Sequence, residues 1–171
     1  NGSKHCEDVD LSVLEKKYGT PSYVYSKKTI KENTKAYVNS FTNSRNLACF
    51  AVKSLSNLSI LKIIKDAGCG FDIVSGGELH RVLSIGAEPK KIIFSGVGKT
   101  KNEIQQGINS GILSFNVESE SELYRIERIA GDIESPAPIS IRINPDIDSG
   151  GHDYITTGRK GDKFGISDTR K

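Results

Sequence analysis

A lysine, an aspartate and an arginine in three separate apolar segments are the residues of this chain best suited to do chemistry. Lys53 closes the run Leu47-Ala48-Cys49-Phe50-Ala51-Val52, Asp72 lies in the run Phe71 to Val74, and Arg142 lies in Ile139 to Asn144. Strands of a parallel sheet buried on both faces read as continuous apolar runs. In β/α barrels the carboxyl ends of such strands carry the catalytic groups. An amine, a carboxylate and a guanidinium in one low-dielectric cavity would suit a site that forms an imine. The lysine must be neutral to attack a carbonyl, a form favoured by desolvation or a neighbouring cation. A plainer reading stands beside this one: Lys53 as a solvated strand cap, and Asp72 with Arg142 as a buried ion pair.

The elements that must position these residues follow a regular rhythm. Strands are predicted to start at 47, 71, 91, 113 and 139, with helical patterns over 57–67, 75–85, 100–110 and 119–130 between them. Gly68, Gly86, Gly111 and Gly131 are the expected helix stops. Ser75 with Glu78, and Ser119 with Glu122, have capping-box spacing. Upstream, Leu11, Leu14 and Tyr18 mark a short amphipathic helix stopped by Gly19-Thr20-Pro21, Tyr23-Val24-Tyr25 suits a short strand, and Ser26 caps a helix whose apolar face is Ile30, Tyr37, Val38 and Phe41.

This alternation predicts α/β architecture built from βαβ units on a parallel sheet. A dinucleotide-binding sheet should carry GxGxxG after its first strand, and the residues after Val52 are Lys-Ser-Leu-Ser-Asn. The remaining architecture is the TIM-type (β/α)8 barrel, which typically takes about 250 residues. Five strands in 171 residues make an incomplete barrel. An open barrel leaves bare edges and apolar surface, so the chain is expected to be a fragment or to be completed by another segment. After the fifth strand, Asn144-Pro145-Asp146 is turn chemistry, and His152 to Gly165 is a long polar loop of the kind that is functional or mobile. His152 is a candidate to face the site.

Other motifs carry less. Gly96-Val97-Gly98-Lys99-Thr100 suggests a phosphate loop, but the first glycine that motif needs falls on Ile93, which leaves a strand-to-helix turn. Ser75-Gly76-Gly77-Glu78 sits at a helix start, where backbone N–H groups hold either an anion or an ordinary cap. His5 and His80 have no metal-ligand spacing, and His80 reads as a surface helix residue. The net charge of +3 and the charged fraction of 26% do not suggest a nucleic-acid binder. No apolar run reaches the ~18 residues of a membrane span. Cys6, Cys49 and Cys69 lack CxxC spacing and point to free thiols in a reducing, cytoplasmic compartment rather than a disulfide or zinc framework.

Taken in order, the motifs resemble one family. Phe50-Ala51-Val52-Lys53-Ser54 is similar to the lysine segment of pyridoxal-phosphate decarboxylases with the alanine-racemase-like barrel. Gly70-Phe71-Asp72-Ile73-Val74-Ser75-Gly76-Gly77-Glu78-Leu79, Phe94-Ser95-Gly96-Val97-Gly98-Lys99-Thr100, Phe115-Asn116-Val117-Glu118-Ser119, Arg142-Ile143-Asn144-Pro145-Asp146 and the stretch from His152 to Ile166 resemble the diaminopimelate decarboxylases in particular. The resemblance runs from about Tyr18 to Ile166. It departs at Leu55, where the family often has asparagine.

The resemblance implies that Lys53 is catalytic and carries pyridoxal 5'-phosphate, that Asp72 and Arg142 lie around the cofactor, and that the reaction is decarboxylation of meso-diaminopimelate to L-lysine. It also implies a homodimer with the site at the subunit interface. Residues 1–25 become a helix and strand that pair with a separate β domain, and residues 26–171 the first part of the barrel. The family's stacking histidine, phosphate loop and later substrate motifs lie beyond this chain, so the chain alone is expected to be inactive. The alternatives are a decarboxylase for ornithine, arginine or carboxynorspermidine, or a barrel that binds the cofactor without catalysis.

Overall fold

The structure, a computed structural model, describes residues 2–40, 45–147, 150–152, 157–158 and 165–167. Strands β1 (His5–Cys6) and β2 (Val9–Asp10) pair as an antiparallel hairpin. Helix α1 (Leu11–Tyr18) follows, its first turn capped by the Asp10 carboxylate accepting from the Ser12 N–H at 2.8 Å. Helix α2 (Lys27–Val38) is capped by Ser26 as the sequence suggests. The Glu7 carboxylate accepts from the Ser26 hydroxyl and the Lys28 N–H, both at 2.8 Å, and so ties the hairpin to the start of α2. Negative charge is favoured there by the unpaired N–H groups of a helix N-terminus.

Five strands form the central sheet: β3 (Cys49–Ala51), β4 (Gly70–Ile73), β5 (Ile92–Phe94), β6 (Ser114–Val117) and β7 (Ile139–Ile141). They are parallel and lie side by side in chain order. A doubly wound sheet reverses its strand order at a switch point. A sequential order is instead the wall of a β/α barrel. The crossovers are α3 (Leu58–Asp66), α4 (Gly76–Ser84), α5 (Lys101–Ser110) and α6 (Glu120–Asp132).

The core lies between strands and helices. Side chains alternate faces along a strand, and Phe71, Ile73, Ile92, Phe94, Phe115 and Val117 all point into the helix layer, where they are buried against Leu61, Ile64, Val82, Ile104, Ile126 and Ile129. Each such side chain contributes about 1.5–3 kcal/mol through burial. The rings of Phe94 and Phe115 stack with centroids 5.9 Å apart. The opposite, inner face carries Ala51, Asp72, Ile93, Ser114 and Asn116, all half-buried.

Two glycines are dictated by close approach. A Cβ on Gly70 would collide with the Lys91 carbonyl oxygen, and one on Gly107 would sit 2.6 Å from Phe115 Cζ. Gly68, Gly86 and Gly111 have positive φ and end their helices as expected.

Four expectations need correction. Tyr23-Val24-Tyr25 forms no strand: these residues pair with nothing among the described residues and remain exposed. Gly131 does not stop α6, which runs on to Asp132, and the chain reverses at Glu134 (φ 50°). The expected strand Ile139–Asn144 breaks at Arg142: β8 (Ile143–Asn144) leaves the sheet to pair with β9 (Ile166–Ser167). Lys53 lies in a 3-10 turn, Val52–Ser54, just past the end of β3. On β7 the helix-side residues Ile139 and Ile141 are exposed, no described helix covering them. Phe41 and most of the loop from His152 to Gly165 lie outside the described residues.

Candidate active site

Residues at the carboxyl ends of the five strands form one rim. Cys49 and Ala51 pair with Gly70 and Asp72 on the inner face, and Lys53 follows two residues past Ala51. The 3-10 turn that ends β3 lifts Lys53 onto the rim, where it is exposed. Val52, facing the other way, is fully buried and anchors the turn. Among the described residues Lys53 makes no hydrogen bond or ion pair, so its amine is unengaged.

Asp72 belongs to a polar row across the inner face. Its Oδ1 accepts from the Ser95 hydroxyl at 2.5 Å, and Ser95 Oγ accepts in turn from Asn116 Nδ2 at 2.9 Å. Three successive strands thus contribute one residue each: Asp72 within β4, Ser95 just after β5 and Asn116 within β6. A hydroxyl donating to a carboxylate is among the stronger hydrogen bonds. It fixes the carboxylate, and Asn116 fixes the hydroxyl. Ser95 and Asn116 stand inside motifs quoted above, but their pairing with Asp72 appears only once the strands are in register.

Arg142 follows β7 and is held through its backbone, its N–H donating to the Val117 carbonyl and its carbonyl accepting from the Ile166 N–H. Its side chain is 41% exposed, and Nη1 lies 3.2 Å from Glu118 Oε2, a carboxylate only 4% exposed. The expected Asp72–Arg142 ion pair is not formed: Arg142 pairs with Glu118, and Asp72 is engaged by Ser95. Glu118 also stands inside a quoted motif, but its pairing with Arg142, 24 residues away, was missed.

The helix starts behave as caps. Ser75 and Ser119 accept from the N–H groups of Glu78 and Glu122, both at 3.2 Å. The glutamates reach back to Val74 N–H (2.7 Å) and Glu118 N–H (2.8 Å), one residue earlier than a capping box requires. The reciprocal box occurs instead at Thr100 and Glu103. Glu103 also takes the Gly76 N–H at 2.8 Å, so two of the first N–H groups of α4 are satisfied internally. Burial pushes the Glu103 carboxyl up, but donation from Gly76 and Thr100 outweighs it and holds the group below its ordinary value. His80 is exposed on α4, as the sequence suggests, and His152 is exposed in the described part of its loop.

This architecture, a sequential parallel sheet with a lysine just past the end of its first strand, is that of an incomplete β/α barrel, and comparison with known proteins defines the class. Residues 27–171 match the pyridoxal-binding domain of the pyridoxal-dependent decarboxylases, and the chain belongs to that family. More particularly, it is similar to the diaminopimelate decarboxylases. It is 47% identical over 161 residues to that of Pseudomonas aeruginosa, covering 94% of this chain and 39% of the relative. The crystal structure of diaminopimelate decarboxylase from Helicobacter pylori complexed with L-lysine superposes with a TM-score of 0.88 at 44% identity, over 92% of this chain and 40% of that one. The M. jannaschii diaminopimelate decarboxylase in co-complex with L-lysine gives 0.87 at 36% identity, over 98% and 40%. The chain therefore spans about 40% of the length of the relatives it matches.

Proposed function

We propose that this chain supplies the lysine-bearing part of a pyridoxal-phosphate-dependent enzyme that decarboxylates meso-diaminopimelate to L-lysine. The observation that carries the cofactor reading is the exposed Lys53, unpaired among the described residues, just past the carboxyl end of β3 and beside the strand that carries Asp72. The donor set suits the aldehyde end of that cofactor. Barrel interiors are ordinarily filled by branched apolar side chains, whereas this inner face carries Asp72, Ser95 and Asn116, groups that hydrogen-bond a polar guest. At the start of α4 the Gly76 and Glu78 N–H groups are already taken by Glu103 and Ser75.

When bound, pyridoxal phosphate supplies an electron sink for the pair left behind as carbon dioxide departs. The residues of the chain divide the remaining work. Lys53 Nζ, as the free base, would hold the aldehyde end of the cofactor, and its exposure leaves that position open to a substrate. Asp72, oriented by Ser95, presents fixed negative charge on the inner face. Arg142, oriented by Glu118, presents positive charge further round the rim. Opposite charges on one rim orient a guest that itself carries both signs, as an amino acid or a phosphorylated pyridinium does.

The choice of substrate is supported by 44–48% identity to diaminopimelate decarboxylases across most of the chain. The same reading makes the protein a homodimer and residues 1–25 a unit that packs on a further domain. An open groove of about 830 Å³ lined by Leu11, Leu14, Tyr18, Tyr23, Val24 and Tyr25 supports the second point. The three free cysteines suit a reducing, cytoplasmic setting. No described helix is long and apolar enough to cross a membrane.

Borohydride reduction of the full-length natural protein with pyridoxal phosphate, followed by peptide mass mapping, tests the cofactor reading. The adduct is expected on the peptide containing Lys53 and is absent from Lys53→Ala. An unmodified Lys53 overturns the proposal. Carbon dioxide release from meso-diaminopimelate, ornithine and arginine compared side by side decides the substrate, and release from either of the latter two alone overturns that choice.

A further inference from the structure

Three consecutive strand ends on the rim are tied together by charges of which the cofactor reading uses Glu118 and Arg142 but not Lys99 or Glu122. Lys99, in the turn between β5 and α5, has a side chain with 0% exposure. Its ammonium donates to the Gly96 carbonyl (2.6 Å), the Asn116 carbonyl (2.8 Å) and Glu122 Oε1 (2.7 Å), so all three N–H groups are used. The Glu122 side chain is 5% exposed and its other oxygen accepts from the Glu118 N–H at 2.8 Å. Both oxygens being engaged, its carboxylate is fixed. The Glu118 carboxylate in turn meets Arg142. The path runs from Lys99 through Glu122 and Glu118 to the Arg142 guanidinium, across the ends of β5, β6 and β7.

The molecule contains its own control. The turn between β4 and α4 has the same construction: Ser75 caps the helix and Glu78 reaches back to the Val74 N–H. Among the described residues Glu78 has no lysine partner, so a buried ammonium is not needed to form such a turn. The residue it holds is Val74, which carries no charge to aim. A lysine appears where the residue held is Glu118 and the group beyond it is Arg142. Burying an ion pair gives little net stability compared with packed apolar residues, so fixing direction is the better account of it.

We propose that Lys99, acting through Glu122 and Glu118, is a positioning residue for the Arg142 guanidinium. This rests on the reading of Arg142 as a cofactor-side group. Lys99 and Glu118 touch no guest themselves; they determine where Arg142 points.

The test is a double-mutant cycle read as the dissociation constant for pyridoxal phosphate in the full-length natural protein. Lys99→Met and Glu118→Ala are each made with Arg142 present and with Arg142→Ala. With Arg142 present each is expected to weaken cofactor binding about tenfold, the scale of one misdirected charge-assisted hydrogen bond. With Arg142→Ala each is expected to change it less than about twofold, because the group being positioned is gone. Glu118→Gln, which keeps an acceptor for Arg142, is expected to recover most of the loss. Equal losses with and without Arg142 overturn the proposal, as does a Gln variant no better than the Ala variant. Should Lys99→Met fail to fold, the Glu118 cycle decides alone. A wild-type protein that takes up no pyridoxal phosphate overturns the cofactor reading and this proposal together.

Discussion

A close approach of helix layer to sheet makes a quantitative prediction. Gly107 lies in α5 against Phe115 of β6, whose neighbour Asn116 completes the polar row. An alanine Cβ there would stand 2.6 Å from Phe115 Cζ, 2.9 Å from Cε1 and 3.2 Å from Ile112 Cδ1. Ordinary carbon contacts begin at about 3.5 Å, so the ring or the helix must retreat by roughly an ångström. The ring cannot retreat freely, being fully buried and stacked on Phe94. Overpacking of this kind costs about 1–3 kcal/mol, and the helix preference of alanine over glycine returns about 1 kcal/mol. Gly107→Ala is therefore expected to lose about 1 kcal/mol. Gly131→Ala, in α6 with nothing within 4 Å of the added Cβ, is expected to gain about 0.5 kcal/mol from propensity alone. Urea denaturation should place the two midpoints on opposite sides of wild type with unchanged slopes. Phe115→Leu should cost less on the Gly107→Ala background than on wild type, since the two sites share one space. A Gly107→Ala protein as stable as Gly131→Ala refutes this account of the helix–sheet contact.

Further outcomes follow from individual side chains. Glu103 is held below its ordinary value of 4.5 in the folded state, so its contribution is complete above that value and fades as pH falls through the folded one. Glu103→Ala should cost about 1 kcal/mol at neutral pH, a gap that narrows in acid denaturation series. Burial, then the Cys69 thiol and the Asp72 carboxylate, push Cys49 up to about 11. At pH 8 such a thiol is only about one part in a thousand thiolate. Iodoacetamide with peptide mapping should therefore label Cys6 well before Cys49, and equal rates would contradict the burial. Lys99→Met leaves Glu122 buried without its ion-pair partner and should cost about 3–5 kcal/mol. Adding Glu122→Gln should recover part of that in the same denaturation assay.

Much of the wall was legible because each βα unit announces itself locally. Apolar runs around Phe71, Ile92 and Phe115 gave the strands, and Gly68, Gly86 and Gly111 gave helix ends because their backbones need positive φ. The misses share a cause. Ile139 to Asn144 reads as one apolar run, yet the chain changes partner at Arg142, and nothing in those six residues reveals a second strand arriving from Ile166. Gly131 sits at a plausible stop, but an exposed helix tolerates glycine, and α6 continues through it. Lys53, Asp72 and Arg142 could be picked from the sequence because each interrupts an apolar run. Lys99 could not: the acceptors that bury it come from Gly96, Asn116 and Glu122, and only the assembled sheet brings them together.

Strand order also governs when the centre forms. Neighbours in the sheet are neighbours in sequence, so every pairing closes a short loop and each adjacent pair of units can zip up independently. Lys53 rides on the first strand of the series and Arg142 follows the fifth, so their separation is the sum of every step between them. The Asp72–Ser95–Asn116 row can be complete while those two groups are still unaligned. If Lys53 holds an aldehyde as proposed, its acquisition would track an early event in refolding, and any property that needs the guanidinium would track the last.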